Sequence, residues 1–167
     1  EIEIIVIENS NNLKFKKEIE EQYANVKCIL SSVNIGMGAG NNIGIKNIDK
    51  DFALILNPDV ILEKNTINEI ISASKLLDSF GIIAPISDKT EYPNYKFDKS
   101  ENHKFDQNNP FEVKTIDGYS MLLNLKRLKK LNDFNFFDEN FFLYLENDDL
   151  CKRLRLKDEK IFIVPKS

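Results

Sequence analysis

The sequence predicts one α/β domain with a mainly parallel sheet. Three observations lead there. Strand-like runs alternate with helix-like runs at short spacing through the first half of the chain. The opening run "IEIIVIE", at 2–8, is β-branched at nearly every position, as expected of a strand buried on both faces. Three polar motifs, "ENS", "NIGMGAG" and "NPDV", fall just beyond strand ends, which is where such sheets hold ligands.

The elements follow in order. "LKFKKEIEEQYA" offers part of a helical face through Leu13, Ile19 and Tyr23, and "VKCILSS" reads as a second strand. A turn built from Gly36, Gly38 and Gly40 then feeds a helix expected to start at Asn41 or Asn42. "FALILNPDVIL" is a third strand, stopped by Asn57-Pro58. Thr66 and Glu69 form a capping-box pattern for a helix to about Leu77, and "GIIAPI" is a fourth strand. Residues 87–114 are polar, dotted with aromatics and without clear period, the pattern of a long loop; His103 within it reads as a surface histidine. "TIDGYSMLLNLK" reads as a strand pair or as a strand entering a short helix. "FNFFDENFFLYLENDDLCKRLRLK" is an aromatic cluster running into a helix, and "KIFIVP" is a last strand.

Bulk composition narrows the function. A net charge of -4 gives no basic field for nucleic acid. No apolar run approaches the roughly 20 residues that span a bilayer, and the acidic start does not read as a signal peptide. Cys28 and Cys151 form no C-x-x-C, so reduced thiols in a cytoplasmic protein are expected. The Gly-rich stretch is not a dinucleotide fingerprint: a glycine is required at 41 or 43, where Asn41 and Ile43 stand. No P-loop pattern is present either. Glycines beside a helix N-terminus suit a bound anion, and they equally suit a bare turn.

Five motifs in order carry a resemblance. "VIENS" at 6–10, "NIGMGAGNNIG" at 34–44, "LILNPDV" at 54–60, "DGYSMLLNLKRL" at 117–128 and "FDENFFLYLENDDLCKR" at 137–153 resemble the family 2 glycosyltransferases, especially the branch that includes rhamnosyltransferases. The resemblance implies a GT-A fold, a Rossmann-like nucleotide-sugar-binding α/β domain with a mainly parallel central sheet. It implies inverting transfer of a sugar from a UDP-, dTDP- or GDP-sugar to a glycan or lipid-linked acceptor hydroxyl, in surface polysaccharide or glycan synthesis. A divalent ion, Mg or Mn, is the implied cofactor. Peripheral association with the inner face of the cell membrane is a further expectation. The family carries another strand before "VDNxS", so residues 1–167 are expected to form a single but truncated domain lacking its first strand, with weak or no activity alone.

The resemblance also implies site residues. Asp59 matches the last Asp of the family's D-x-D and is the expected metal ligand, with Asn57 replacing the first Asp. Glu8 matches an acidic residue that contacts the nucleotide base. Asn9, Gly36, Gly38, Asn41, Asn42, Asn57, Asp117 and Gly118 are expected around the donor, with Gly40 also allowing close approach of the backbone. In the family's "EDxD" this chain has "ENDD", so Asn147 stands where a base is common, and Asn takes no proton. Glu146 and Asp149 are the expected catalytic acids, Glu146 as the base. Acids opening a helix that ends in Lys152, Arg153, Arg155 and Lys157 also fit the helix dipole without any catalytic role. The aromatics Phe136, Phe137, Phe141, Phe142 and Tyr144 read more readily as packing than as a sugar-stacking shelf. The alternative reading is a non-catalytic relative that binds nucleotide-sugar or glycan, favoured by Asn57 and Asn147. A nucleotidyltransferase is disfavoured, because the chain lacks a Gly-rich N-terminal loop with a basic residue.

Overall fold

The computed structural model describes residues 2–88, 91–97 and 107–167. The chain forms two compact units. One comprises Glu1–Asp49 with Asn135–Glu146, the other Lys50–Phe134 with Asn147–Ser167.

The first unit is built from β1 (Ile4–Glu8), α1 (Leu13–Gln22), β2 (Val26–Leu30) and α2 (Met37–Lys46), joined by the segment 135–146. β1 and β2 pair in parallel, Val6 opposite Cys28. Asn12 caps α1 by accepting the Phe15 N–H at 3.0 Å. Every residue of β1 keeps some exposure, in contrast to the expected two-sided burial. β2 is its one strand neighbour among the described residues, so the second edge of β1 has no ladder to cover it.

α2 departs further from expectation. It begins at Met37 rather than at Asn41 or Asn42, so Gly38, Gly40 and Gly44 lie inside a helix and not in a turn. Gly36 alone makes the turn, at φ +86°, a backbone region that side-chain-bearing residues rarely adopt. Each helical glycine costs roughly 1 kcal/mol relative to alanine. Close approach is needed at Gly38, where a Cβ would lie 3.1 Å from the Phe137 Cβ; at Gly40 and Gly44 a Cβ would make only ordinary contact with Ile7 of β1, at 3.6 and 3.7 Å.

The second unit holds a five-stranded sheet in the order β3-β8-β4-β9-β6. Its elements in chain order are β3 (Phe52–Leu56), α3 (Thr66–Leu76), β4 (Ile82–Pro85), β5 (Tyr95–Lys96), β6 (Phe111–Glu112), β7 (Thr115–Ile116), β8 (Ser120–Asn124), α4 (Leu125–Leu128), α5 (Glu146–Arg155, its first residue in the other unit) and β9 (Ile161–Val164). β4 and β9 pair in parallel, while β8 runs antiparallel between β3 and β4. Ile70 and Ala73 of α3 pack with Phe80, Ile83, Leu122, Phe162 and Val164. α3 starts one residue before the position expected from a Thr66 cap. Asn65 is the N-cap and makes no side-chain cap bond, while Thr66 is buried.

"TIDGYSMLLNLK" holds two strands, β7 and β8, each paired with other strands, and the second enters a helix: Asn124 ends β8 and caps α4 through the Arg127 N–H, at 3.1 Å. The polar segment after β4 is anchored where it is described. Asn94 is buried, donates to the Pro85 carbonyl at 2.9 Å and accepts from the Ser87 N–H at 2.9 Å. Tyr95, Phe97 and Phe111 form a cluster of edge-on and tilted rings 5.2–5.7 Å apart. β5 pairs with β7, and β6 with β9. His103 lies outside the described residues.

Candidate functional site

In the first unit, "ENS" and the Gly-rich stretch are tied together. Asn9 donates to Asn34 Oδ1 at 3.0 Å and to the Gly36 carbonyl at 3.2 Å, and accepts the Ile35 N–H at 3.1 Å. Asn34 in turn accepts the Gly36 N–H at 3.0 Å. The half-exposed Glu8 carboxylate accepts from the Ser10 hydroxyl and N–H and from the Asn12 N–H, the last at 2.5 Å. These donors, Ser10 first, hold its carboxyl below the ordinary range, so it stays ionised as an acceptor.

Gly36, Gly38 and Asn42 all face the segment 137–146. A Cβ on Gly36 would meet the Phe142 carbonyl oxygen at 2.3 Å, and Phe142 O accepts the Met37 N–H at 3.2 Å. A Cβ on Gly38 would lie 3.1 Å from Phe137 Cβ and 3.6 Å from Glu146 Cβ. Asn42 is buried. Its amide donates to the Phe137 carbonyl at 2.9 Å and its oxygen accepts the Phe137 N–H at 3.0 Å. Asn41 is half-exposed.

Glu146 is 3% exposed, and its Oε2 has no hydrogen-bond partner among the described residues. Ser120 Oγ is the other such atom, but Ser120 carries no charge to leave unpaired. Burying an unpartnered carboxylate oxygen costs free energy, so the position calls for a reason other than stability. Directly before Glu146, Tyr144 and Leu145 are both left-handed, at φ 68°. Phe137 is buried, Phe136 and Phe141 are half-buried, and Phe142 and Tyr144 are exposed, so this aromatic run is only partly packing.

In the second unit, Asn57, Pro58, Asp59 and Val60 form a turn at the carboxyl end of β3, closed by the Val60 N–H on the Asn57 carbonyl at 3.2 Å. The Asn57 N–H is held by the Tyr119 carbonyl at 2.9 Å. Asp59 is exposed, and its carboxylate is engaged by no side chain among the described residues. A hard divalent ion takes oxygen ligands and is often held by one carboxylate plus substrate phosphates, so this position fits one. No group of three His, Cys, Asp or Glu side chains suited to a metal occurs among the described residues. The donor phosphates would therefore have to complete the coordination.

Also in the second unit, Asp117 and Gly118 connect β7 to β8, and the Asp117 N–H is held by the Asn94 carbonyl at 2.8 Å. Partial burial raises the Asp117 carboxyl above its ordinary range; Lys96 opposes this and Asp148 adds to it. Lys96 Nζ lies 3.9 Å from Asp148. Asn147 donates to the Ile116 carbonyl at 2.6 Å, and Asp149 pairs with Arg153 at 2.6 Å within α5. The sequence reading counted Asp148 in the acid cluster that opens α5, with no role of its own, and did not single out Lys96. Lys96 sits in the aperiodic segment, and Asp148 stands at a variable position of the family motif, so neither carried a signal.

The chain belongs to glycosyl transferase family 2, whose model matches residues 1–144. It is similar to rhamnosyltransferase WbbL of Escherichia coli (strain K12), at 26% identity over 97% of this chain and 69% of that protein. It is also similar to the low-salt glycan biosynthesis hexosyltransferase Agl10 of Haloferax volcanii, at 24% identity over 95% of this chain and 55% of that protein. Among solved structures, GalNAc-T7 with UDP, GalNAc and Mn2+ matches with a TM-score of 0.74 at 14% identity, covering 98% of this chain and 36% of that one. That likeness is one of fold, and the fold is GT-A. No helix among the described residues is long and apolar enough to cross a membrane.

Proposed function

We propose that this chain transfers a sugar, with inversion, from a nucleoside-diphosphate sugar to a hydroxyl of a glycan or lipid-linked acceptor, in the synthesis of a surface polysaccharide or similar glycan. The observation that carries this is Glu146: a buried carboxylate oxygen without a partner, opening α5 in a chain of this family. Glu146 accepts the proton of the acceptor hydroxyl as that oxygen attacks the anomeric carbon. The bond from that carbon to the diphosphate breaks, and the nucleoside diphosphate leaves.

Asp59 would hold Mg or Mn together with the donor phosphates, and the ion would supply positive charge to offset that of the diphosphate leaving group. Glu8, kept ionised by Ser10 and Asn12, offers an acceptor to an N–H of the base. Asn9, Asn41, Asn57, Asp117 and Gly118 shape the surroundings of the donor directly, while Gly36, Gly38 and Asn42, turned to the segment 137–146, bear on the donor site only through that segment. Asp149 holds Arg153 and so stabilises the helix that begins with Glu146. On this reading the reaction takes place in the cytoplasm, at the inner face of the cell membrane.

The test uses the whole protein with UDP-, dTDP- and GDP-sugars, Mn2+ or Mg2+, and candidate acceptors, following nucleotide release. Glu146→Gln is expected to abolish turnover while leaving donor binding intact; full turnover in that variant removes Glu146 from the reaction. The non-catalytic reading rests on Asn57 and Asn147 at positions where the family has acids. Donor binding with no nucleotide release for any acceptor, in wild-type protein, would establish it.

A further inference from the structure

We infer that the Gly-rich stretch is a socket for the segment carrying Glu146, with Gly36, Gly38 and Asn42 acting as positioning residues for that carboxylate. The inference rests on the reading of Glu146 as the base. It assigns these three residues a protein partner, on observations confined to the first unit.

The segment is held at its start, middle and end. At the start, Asn42 satisfies both the N–H and the C=O of Phe137, in a position only 6% exposed. The same amide donates to Glu139 Oε1 at 3.0 Å. In the middle, the Phe142 carbonyl sits against the bare Cα of Gly36 and accepts from Met37. Toward the end, Gly38 sits against both ends of the segment: a methyl there would crowd the Phe137 Cβ at 3.1 Å and would stand in van der Waals contact with the Glu146 Cβ at 3.6 Å.

Between the last two anchors the backbone is strained. Two successive side-chain-bearing residues, Tyr144 and Leu145, are left-handed, each costing on the order of 1–3 kcal/mol. They are 74% and 60% exposed, so burial of their side chains does not offset that cost. Strain of this kind persists only where the surroundings over-determine the conformation, and the three anchors do so. Released from them, the backbone before Glu146 relaxes and the carboxylate moves.

Two measurements on the full chain test this. Amide exchange followed by mass spectrometry needs no donor. Asn42→Ala is expected to speed exchange across 137–146 by about tenfold or more, since hydrogen bonds worth on the order of 1 kcal/mol each are lost. Gly44→Ala, in the same helix but facing Ile7 at an ordinary 3.7 Å, is expected to leave that segment unchanged. Unchanged exchange in Asn42→Ala overturns the inference, whatever Glu146→Gln does.

Turnover supplies the second reading. Gly38→Ala is expected to lower kcat by about 10²-fold, the scale of a small misplacement of a reacting group, with the donor KM held within about twofold. A raised donor KM with kcat retained would make the stretch a donor cradle and overturn the inference. Loss of kcat in Gly38→Ala alongside full activity in Glu146→Gln would leave the socket standing and remove only the base assignment.

Discussion

The side-chain amide of Asn147 donates to the carbonyl oxygen of Ile116 at 2.6 Å. Four residues on, the buried Cys151 sulfur accepts from the Ile116 N–H, so one face of α5 satisfies both backbone groups of the last residue of β7. An aspartate at 147 would turn a carboxylate toward that carbonyl. The residue that looks like a lost base is therefore a structural donor. Asn147→Asp is expected to destabilise the chain by about 1–3 kcal/mol without raising turnover. Urea unfolding measures the first and nucleotide release the second; a stable, faster variant would return the base to position 147.

Asp59 is exposed and no side chain among the described residues engages it, so Asp59→Asn is expected to change stability by no more than about 0.5 kcal/mol. Its effect should fall on metal-dependent nucleotide binding. Titration of UDP, GDP and dTDP with and without Mn2+ checks this. Equal binding by the variant and the wild type removes the metal from Asp59.

Glu159 is 4% exposed and its carboxylate is paired with Arg127. Removing the cation strands a buried charge, whereas neutralising the acid leaves an oxygen that still accepts from the guanidinium. Arg127→Met is expected to cost about 3 kcal/mol or more, and Glu159→Gln clearly less. Chemical denaturation of both variants decides the order, and the reverse order would show that the pair is not what holds this corner.

Burial pushes the Cys151 thiol from an ordinary value of 9.0 up to about 12, against the lowering effect of the Ile116 N–H. At pH 8 the folded protein should resist alkylation at Cys151 and the unfolded chain should not. The linkage has a definite sign. Between pH 9 and 12 the unfolded state releases this proton and the folded state keeps it, so stability falls as pH rises, by at most about 1.4 kcal/mol per unit from this group. Below pH 9 the contribution is flat. Alkylation followed by mass spectrometry, and unfolding midpoints from pH 8 to 11, test both statements.

The parts of the fold legible in the sequence are those specified locally. β3 is a short apolar run ended by Asn57-Pro58, and β8 passes into α4 at an Asn that caps through its own side chain. The start of α2 was not legible, because three glycines inside ten helical residues contradict intrinsic propensity. What makes the helix tolerable is packing on Ile7, Phe137 and Glu146, and the last two lie about a hundred residues away in sequence. β5 and β6 are two residues each and owe their existence to their partners, so no period announced them. The family was readable because five motifs occur in order. The protein partners of its glycines and of Asn42 and Asn147 were not, since a motif records residue types and not what they touch.

The hydrogen bonds from Asn42 to Phe137 close over 95 residues. During synthesis, the part of the first unit that runs to Asp49 emerges and waits while most of the second unit is made. Only when residue 146 has cleared the ribosome does α2 meet the segment that justifies its glycines. Until then a helix with poor intrinsic propensity exists without its partner, and its completion waits on residues about a hundred positions further along the chain. A nascent chain in which residue 135 has not yet left the ribosome should therefore expose the Gly-rich stretch to protease, and one in which residue 146 has left it should protect the stretch.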